Sequence, residues 1–129
     1  MTRRLLLALF ILAAAALPGW AQTEEKVTGE EAASVREALG DYVQRDAKLK
    51  GGFFLYDPEL KRVVGLNFDH VHDGVTHTPE GQYFACVDMR SVRGQLYDLD
   101  IFLEKTESGL KPAKIVIHKV DGEKRAESH

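Results

Sequence analysis

The sequence predicts an α+β domain in which one N-terminal helix packs on a curled antiparallel sheet of about five or six strands. Two periodicities carry this prediction. Between residues 30 and 50 the apolar side chains recur with the 3.6-residue period of a helix, and from Phe53 onward they follow the pattern of strands. Turn signals separate the later segments at short intervals, which favours antiparallel connections. A helix with one apolar stripe has to bury it, so we expect it to lie on the sheet.

The helix is predicted to begin after Thr28, because Thr28 and Glu31 have the spacing of a capping box. Gly51-Gly52 is expected to end it, since glycine readily adopts the left-handed conformation found at helix C-termini. We interpret the apolar stripe as core packing. Its members are Ala32, Val35, Leu39, Tyr42 and Val43.

Six strands are expected after the helix, at residues 53–56, 61–72, 75–78, 82–90, 95–105 and 110–119. Asp73-Gly74 is interpreted as a two-residue hairpin turn, because this dipeptide tolerates the positive φ that such a turn requires. The strands at 82–90 and 95–105 are predicted to form a hairpin centred on Val92-Arg93.

The first 21 residues have the layout of a secretory signal peptide. Arg3-Arg4 precedes an apolar run from Leu5 to Leu17, and Gly19-Trp20-Ala21 places small residues before a cleavage point. The apolar run is shorter than the roughly 20 residues that a helix needs to span a bilayer. We therefore expect a periplasmic or secreted protein that has no membrane association after cleavage.

The remaining chain is predicted to hold one domain at residues 28–120, preceded by a loose leader at 22–27 and followed by a charged tail at 121–129. The chain has 129 residues, of which 44% are hydrophobic, and this excludes a disordered segment. A single cysteine excludes an intrachain disulfide framework. The net charge of −3, without clustered basic residues, argues against nucleic acid as a partner.

The order of elements over residues 28–120 resembles the cystatin-like and NTF2-like rolls, which occur in many small exported bacterial proteins. The segments Tyr83-Phe84-Ala85-Cys86-Val87-Asp88 and Tyr97-Asp98-Leu99-Asp100 also look like those of uncharacterised exported bacterial proteins. This resemblance implies a roll-shaped fold and export. It assigns no functional residue, because no signature motif accompanies it.

Three histidines form the first candidate site. If Asp73-Gly74 is a hairpin turn, His70 lies opposite His77, and His72 shares their face of the sheet. Three imidazoles on one face are able to bind zinc or copper and leave a coordination position open. The alternative interpretation is that they are exposed histidines on a solvated hairpin.

The second candidate site is a mixed face of the predicted 82–105 hairpin. We expect its strongly apolar face to pack against the helix, with Phe84, Cys86, Tyr97, Leu99, Ile101 and Leu103. The opposite face is predicted to bind a ligand or partner, or to form a homodimer, through Tyr83, Val87, Met89, Asp98, Asp100 and Phe102. Alternatively, later strands or the leader cover this face.

Cys86 and His118 suggest a nucleophile and a base, but we expect a buried, inert thiol and a structural histidine, because Cys86 alternates with Phe84. No phosphate-binding glycine loop or nucleophile elbow is present. The leading hypothesis is a non-enzymatic exported module that binds an unknown protein or small ligand and needs no cofactor. The alternative is a zinc or copper protein, or a metal-dependent enzyme, that uses His70, His72 and His77.

Overall fold

The computed structural model describes residues 23–125, which form one helix and one antiparallel sheet of seven strands. The predicted signal peptide and the end of the predicted tail lie outside the described residues. In chain order the elements are β1 (Glu25–Val27), α1 (Gly29–Lys50), β2 (Phe53–Asp57), β3 (Arg62–His77), β4 (Gln82–Ser91), β5 (Leu96–Thr106), β6 (Gly109–Val120) and β7 (Glu123–Lys124).

The sheet has the order β1-β3-β4-β5-β6-β7, and β2 pairs with the first part of the long strand β3. It curls around α1, which confirms the predicted α+β class with one helix on a curled antiparallel sheet. Seven strands form instead of six, because the predicted strands at 61–72 and 75–78 merge into β3 and two short strands form in the predicted leader and tail. Strand β1 lies in the leader and pairs with the end of β3, while β7 lies in the tail and pairs with β6.

The helix has the predicted ends but not the predicted cap. Thr28 occupies the N-cap position without a side-chain cap hydrogen bond. Glu31, the expected partner in the capping box, instead accepts a hydrogen bond from the hydroxyl of Tyr83. At the other end Gly51 is left-handed, with φ of 74°, and its N–H donates to the carbonyl of Ala47. The Glu31 side chain therefore contacts β4 and does not take part in a capping box.

The core lies between α1 and the concave face of the sheet. Four members of the predicted helix stripe are buried, namely Ala32, Val35, Leu39 and Val43. The sheet contributes alternate residues of β4 and β5, including Ala85, Val87, Met89, Tyr97, Leu99, Ile101 and Leu103. Alternation along each strand therefore places the intervening residues on the opposite, convex face, which we call the outer face.

A buried charged network joins the end of β2 to the chain after β7. The carboxylate of Asp57 is fully buried and accepts hydrogen bonds from both terminal nitrogens of Arg125, at 2.8 and 3.0 Å. The Tyr97 hydroxyl donates to it at 2.7 Å, and the backbone N–H groups of Glu59 and Leu60 donate as well. Residue 125 belongs to the segment predicted to be a charged tail, and this network holds it against the domain.

Candidate functional site

The β4–β5 hairpin has a different register from the predicted one. Val87 pairs with Leu99, and both are fully buried in the core. Cys86 pairs with Asp100, so these two side chains lie on the outer face. The prediction that Phe84 and Cys86 face the helix is therefore wrong.

The length of the connecting turn explains this error. Gly94 is left-handed, with φ of 81°, and its N–H donates to the Ser91 carbonyl at 2.9 Å. The N–H of Ser91 in turn donates to the Gln95 carbonyl at 2.9 Å. These bonds define a three-residue loop that ends in a left-handed glycine, whereas a turn centred on Val92-Arg93 has two residues. One additional residue shifts the pairing by one position and exchanges the faces of β4 relative to β5.

The six residues predicted to line a ligand or interface surface divide between the two sides of the sheet. On the outer face lie Asp98, Asp100 and Phe102. On the inner side lie Val87 and Met89, which are fully buried, and Tyr83, which packs at the border of the core. The predicted surface is therefore not one continuous face of the sheet, because only Asp98, Asp100 and Phe102 lie on the outer face.

Four side chains that can bind a metal ion meet on the outer face of β4, β5 and β6: Cys86, Asp98, Asp100 and His118. We call them the central cluster. One potential ligand atom from each lies within 4.8 Å of all the others. The Cys86 thiol donates to Oδ1 of Asp100 at 3.0 Å, and Nδ1 of His118 lies 3.7 Å from the same oxygen. The Asp100 side chain is only 8% exposed, whereas the His118 side chain is 25% exposed.

A β-bulge in β6 contains His118. Leu99 pairs with Ile117, and its neighbour Asp98 pairs with Lys119, so His118 is the additional residue in β6 at this point. Bulges change the direction of a side chain and are frequent next to functional sites. The bulge accounts for a histidine on the outer face beside Asp100.

Two atoms of the central cluster are buried without a hydrogen-bond partner: Oδ1 of Asp98 and Nδ1 of His118. Leaving a buried polar atom unpaired typically costs about 1–3 kcal/mol, and such atoms often mark the place of a water molecule or an ion. The two atoms belong to neighbouring side chains of one cluster. A single bound species is therefore able to satisfy both.

Burial also shapes the acid–base properties of the central cluster. It raises the pKa of the Cys86 thiol well above its ordinary value, and the adjacent Asp100 carboxylate raises that pKa further. Burial likewise raises the pKa of Asp98. A protonated thiol beside carboxylates is a poor nucleophile, which argues against a Cys–His catalytic pair. The same set of groups would be stabilised by a divalent cation, because the cation balances their negative charge.

The predicted turn at Asp73-Gly74 is absent, because β3 continues through these residues as one strand. Neither residue has the positive φ that the turn requires. They lie instead in an irregularity of the β3–β4 ladder, where Val71 pairs with Val87 and Val75 pairs with Ala85. Pairing with neighbouring strands on both sides of this bulge overrides the local preference of the Asp-Gly pair for a turn.

The structure therefore brings together only two of the three histidines predicted to bind a metal. His70 and His72 stack on the outer face with ring centroids 5.3 Å apart, and Asp88 of β4 completes a group of three potential ligands within 4.8 Å. We call these three residues the paired-histidine cluster. His77 packs against the ring of Tyr83 near the far end of β3 and belongs to neither cluster.

A groove of about 800 Å³ adjoins the central cluster on the outer face. Cys86, Asp100 and His118 line it together with Phe84 and Phe102. The two phenylalanine rings stack 4.9 Å apart and form an apolar surface beside the polar cluster. The Lys114 ammonium lies 4.6 Å from the centre of the Phe102 ring. The groove has the size and mixed lining of a small-molecule site.

The alternation of β5 indicated Asp98 and Asp100, but it did not place Cys86 or His118 beside them. One signal was available for Cys86. The segment Ser91-Val92-Arg93-Gly94-Gln95 fits a three-residue loop with glycine at its left-handed position, and this loop aligns Cys86 with Asp100. No comparable signal marks the bulge at His118.

The chain matches no known family model, no curated protein and no solved structure. Its resemblance in element order to the cystatin-like and NTF2-like rolls stays a prediction. Within residues 23–125 no helix has both the length and the hydropathy needed to cross a bilayer.

Proposed function

We propose that this protein is a small exported metal-binding module and that the central cluster binds a divalent ion of the zinc class. One observation carries the proposal. A thiol, an imidazole and two carboxylates converge within 4.8 Å, and two of their atoms are buried without a hydrogen-bond partner. Leaving these two atoms unpaired costs stability, whereas a bound cation would interact with both of them.

The donor set and its spacing suit zinc. Zinc takes cysteine sulfur at about 2.3 Å and histidine nitrogen or carboxylate oxygen at about 2.0–2.2 Å, usually in a tetrahedron. A tetrahedron with those bond lengths separates its ligand atoms by roughly 3.3–3.8 Å. The Cys86–Asp100 and His118–Asp100 separations of 3.0 and 3.7 Å are close to that range. Movements of about an ångström in these side chains would therefore bring the ligand atoms to the distances of a zinc tetrahedron.

Titration of the full chain with Zn²⁺ is expected to give tight binding that depends on Cys86 and His118. We expect Cys86→Ser and His118→Gln each to weaken the tightest binding step at least about 100-fold, since even the outer partners of metal ligands contribute about 10–100-fold. Zinc at 100 times its dissociation constant should stabilise the fold by about 2.7 kcal/mol. Calorimetric titration and thermal unfolding measure the two effects.

His77→Ala is the matched control for this titration, because it removes a histidine that lies outside both clusters. It should leave the tightest step unchanged. Asp98→Asn, which is nearly isosteric, tests the same site with the smallest disturbance of the fold. Two results would contradict the proposal. One is a wild-type protein that binds no zinc, and the other is zinc binding that is as tight in Cys86→Ser and His118→Gln as in the wild type.

We further propose that the module is exported and that its mature chain begins at Gln22. The basis is the signal-peptide layout of residues 1–21, with its basic start, short apolar run and small residues before the cleavage point. N-terminal sequencing of protein from the periplasm or the medium should give Gln22 as the first residue. Soluble protein that retains Met1 would contradict this.

A second proposal is that the outer face also binds a small organic ligand, in keeping with the hypothesis of a non-enzymatic binding module. The groove of about 800 Å³ beside the central cluster favours it, since Phe84 and Phe102 offer an apolar surface at one side of the polar groups. Ligand-observed NMR with small aromatic carboxylates tests this proposal. Binding that is lost in Phe84→Ala supports it, and binding that is absent or unaffected by that substitution would argue against it.

A further inference from the structure

In the paired-histidine cluster, the imidazoles of His70 and His72 both lie close to the Asp88 carboxylate. Nε2 of His72 lies 2.8 Å from Oδ1 of Asp88, and Nε2 of His70 lies 3.8 Å from Oδ2 of the same side chain. The rings are stacked, with an interplanar angle of 16°. The two Nε2 atoms therefore lie on the same side of the Asp88 carboxylate, each nearest to a different oxygen. Nδ1 of His70 also lies 3.4 Å from the exposed Asp69 carboxylate, which leaves its Nε2 directed at Asp88.

The backbone of β3 is arranged so that both histidines reach the outer face. A register shift between Phe68 and His70 changes the phase of the strand, and a second shift follows Val71. Phe68 and Val71 both pack toward the core, although three positions separate them. In a regular strand, an even-numbered and an odd-numbered residue lie on opposite faces, so Phe68 and Val71 would not both face the core. The register shift between Phe68 and His70 therefore places His70 and His72 on the outer face.

A contact from the helix supports the second irregularity. Nη1 of Arg36 donates to the backbone carbonyl of Asp73 at 3.0 Å, next to His72. The segment that carries the histidines is thus paired to β4 on one side and tied to α1 at its bulge. It presents His70 and His72 on a supported backbone and not on a free loop.

We propose that His70, His72 and Asp88 form a second cation site, distinct from the central cluster, that binds a first-row divalent metal ion. Two imidazoles and one carboxylate make a three-ligand set that leaves coordination positions open for water or another ligand. The site is more accessible than the central cluster, since the His70 side chain is 56% exposed and the Asp88 side chain 15%. It stands independently of the proposed function, because it shares no ligand with the central cluster.

The two sites are neighbours across the β4–β5 ladder. Asp88 of the paired-histidine cluster pairs directly with Asp98 of the central cluster. Two dications so placed repel each other, so the second ion should bind more weakly than the first. We expect the central cluster to fill first, because it offers four ligands, one of which is a thiol that loses its proton when the metal binds.

Native mass spectrometry and calorimetric titration of the full chain with Zn²⁺ test the second site. Wild-type protein should bind two ions in separate steps. His72→Ala and Asp88→Asn should each remove the weaker step or weaken it at least about tenfold, and leave the tighter step in place. Cys86→Ser should remove the tighter step and keep the weaker one. His77→Ala, which changes a histidine outside both sites, should retain two ions.

The variants separate failure of this inference from failure of the proposed function. Loss of one ion in His72→Ala together with no effect of Cys86→Ser would uphold the second site and reject the central one. A weaker step that survives in both His72→Ala and Asp88→Asn, or a wild-type protein that binds one ion only and loses it in Cys86→Ser, would overturn the second site. Far-ultraviolet circular dichroism verifies that each variant is folded, and Asp88→Asn provides a nearly isosteric replacement.

Discussion

Replacing Asp57 with alanine is expected to lower the free energy of unfolding by about 3–5 kcal/mol, the usual cost of removing one partner of a buried ion pair. The Asp57 carboxylate is fully buried and accepts two hydrogen bonds from Arg125 and one from Tyr97. Without it the Tyr97 hydroxyl loses its acceptor, and the Arg125 guanidinium loses its two buried hydrogen bonds and keeps its contact with the exposed Glu59 carboxylate. Denaturation by urea, monitored by circular dichroism, measures the loss.

Glu59→Gln is the matched control for Asp57→Ala. The carboxylate of Glu59 lies 2.7 Å from Nη1 of Arg125, but its side chain is 69% exposed. Exposed pairs typically contribute about 0–1 kcal/mol, so we expect a change within that range. Losses of equal size in Asp57→Ala and Glu59→Gln would contradict the buried network.

The same network predicts how stability depends on acid. Burial alone would raise the pKa of Asp57, but hydrogen bonds from Tyr97, Arg125 and the backbone more than offset it and hold the pKa below its usual value. A carboxylate with a lowered folded pKa binds fewer protons in the folded state than in the unfolded state. Its contribution is therefore complete above the unfolded pKa of about 3.9 and is lost as the pH falls through the folded value. As the pH falls from about 3.9 through the folded pKa of Asp57, the free energy of unfolding should therefore decrease less in Asp57→Asn than in the wild type.

Leu99→Ala is expected to lower the free energy of unfolding by about 2–5 kcal/mol. Leu99 is fully buried in the middle of β5, in the core that α1 covers. Removal of its side chain loses apolar burial and leaves a cavity that the surrounding strands fill only in part. Leu49→Ala makes the same replacement where the leucine is 79% exposed, near the end of α1. We expect that control to change stability by less than about 0.5 kcal/mol. A loss under about 1 kcal/mol in Leu99→Ala would place this residue outside the core.

The helix and the faces of β5 could be predicted because each depends on local periodicity. The stripe of Val35, Leu39 and Val43 and the alternation of Leu99 and Ile101 both follow from the burial of one side of a regular element. Pairing between strands depends instead on turn length and on partners far along the sequence. A turn longer by one residue at Gly94 was enough to exchange the faces of β4.

The candidate site could be predicted only in part for the same reason. Asp98 and Asp100 were identified from β5 alone, where alternation suffices. The position of His118 depends on a bulge in β6, and the pairing of His72 with Asp88 depends on register shifts in β3. Asp73-Gly74 favoured a turn locally, but continuous pairing of β3 decided the outcome. The hydrogen bonds between Arg125 and Asp57 join positions far apart in the chain, so no local sequence pattern indicated them.

X-ray absorption spectroscopy at the zinc edge tests the central claim most directly, because the chain contains a single cysteine. Protein loaded with one equivalent of zinc should show one sulfur at about 2.3 Å and nitrogen or oxygen ligands at about 2.0–2.2 Å. That sulfur can then be assigned to Cys86, and it should vanish in Cys86→Ser. A coordination shell of nitrogen and oxygen alone in the wild-type protein would contradict a zinc site in the central cluster.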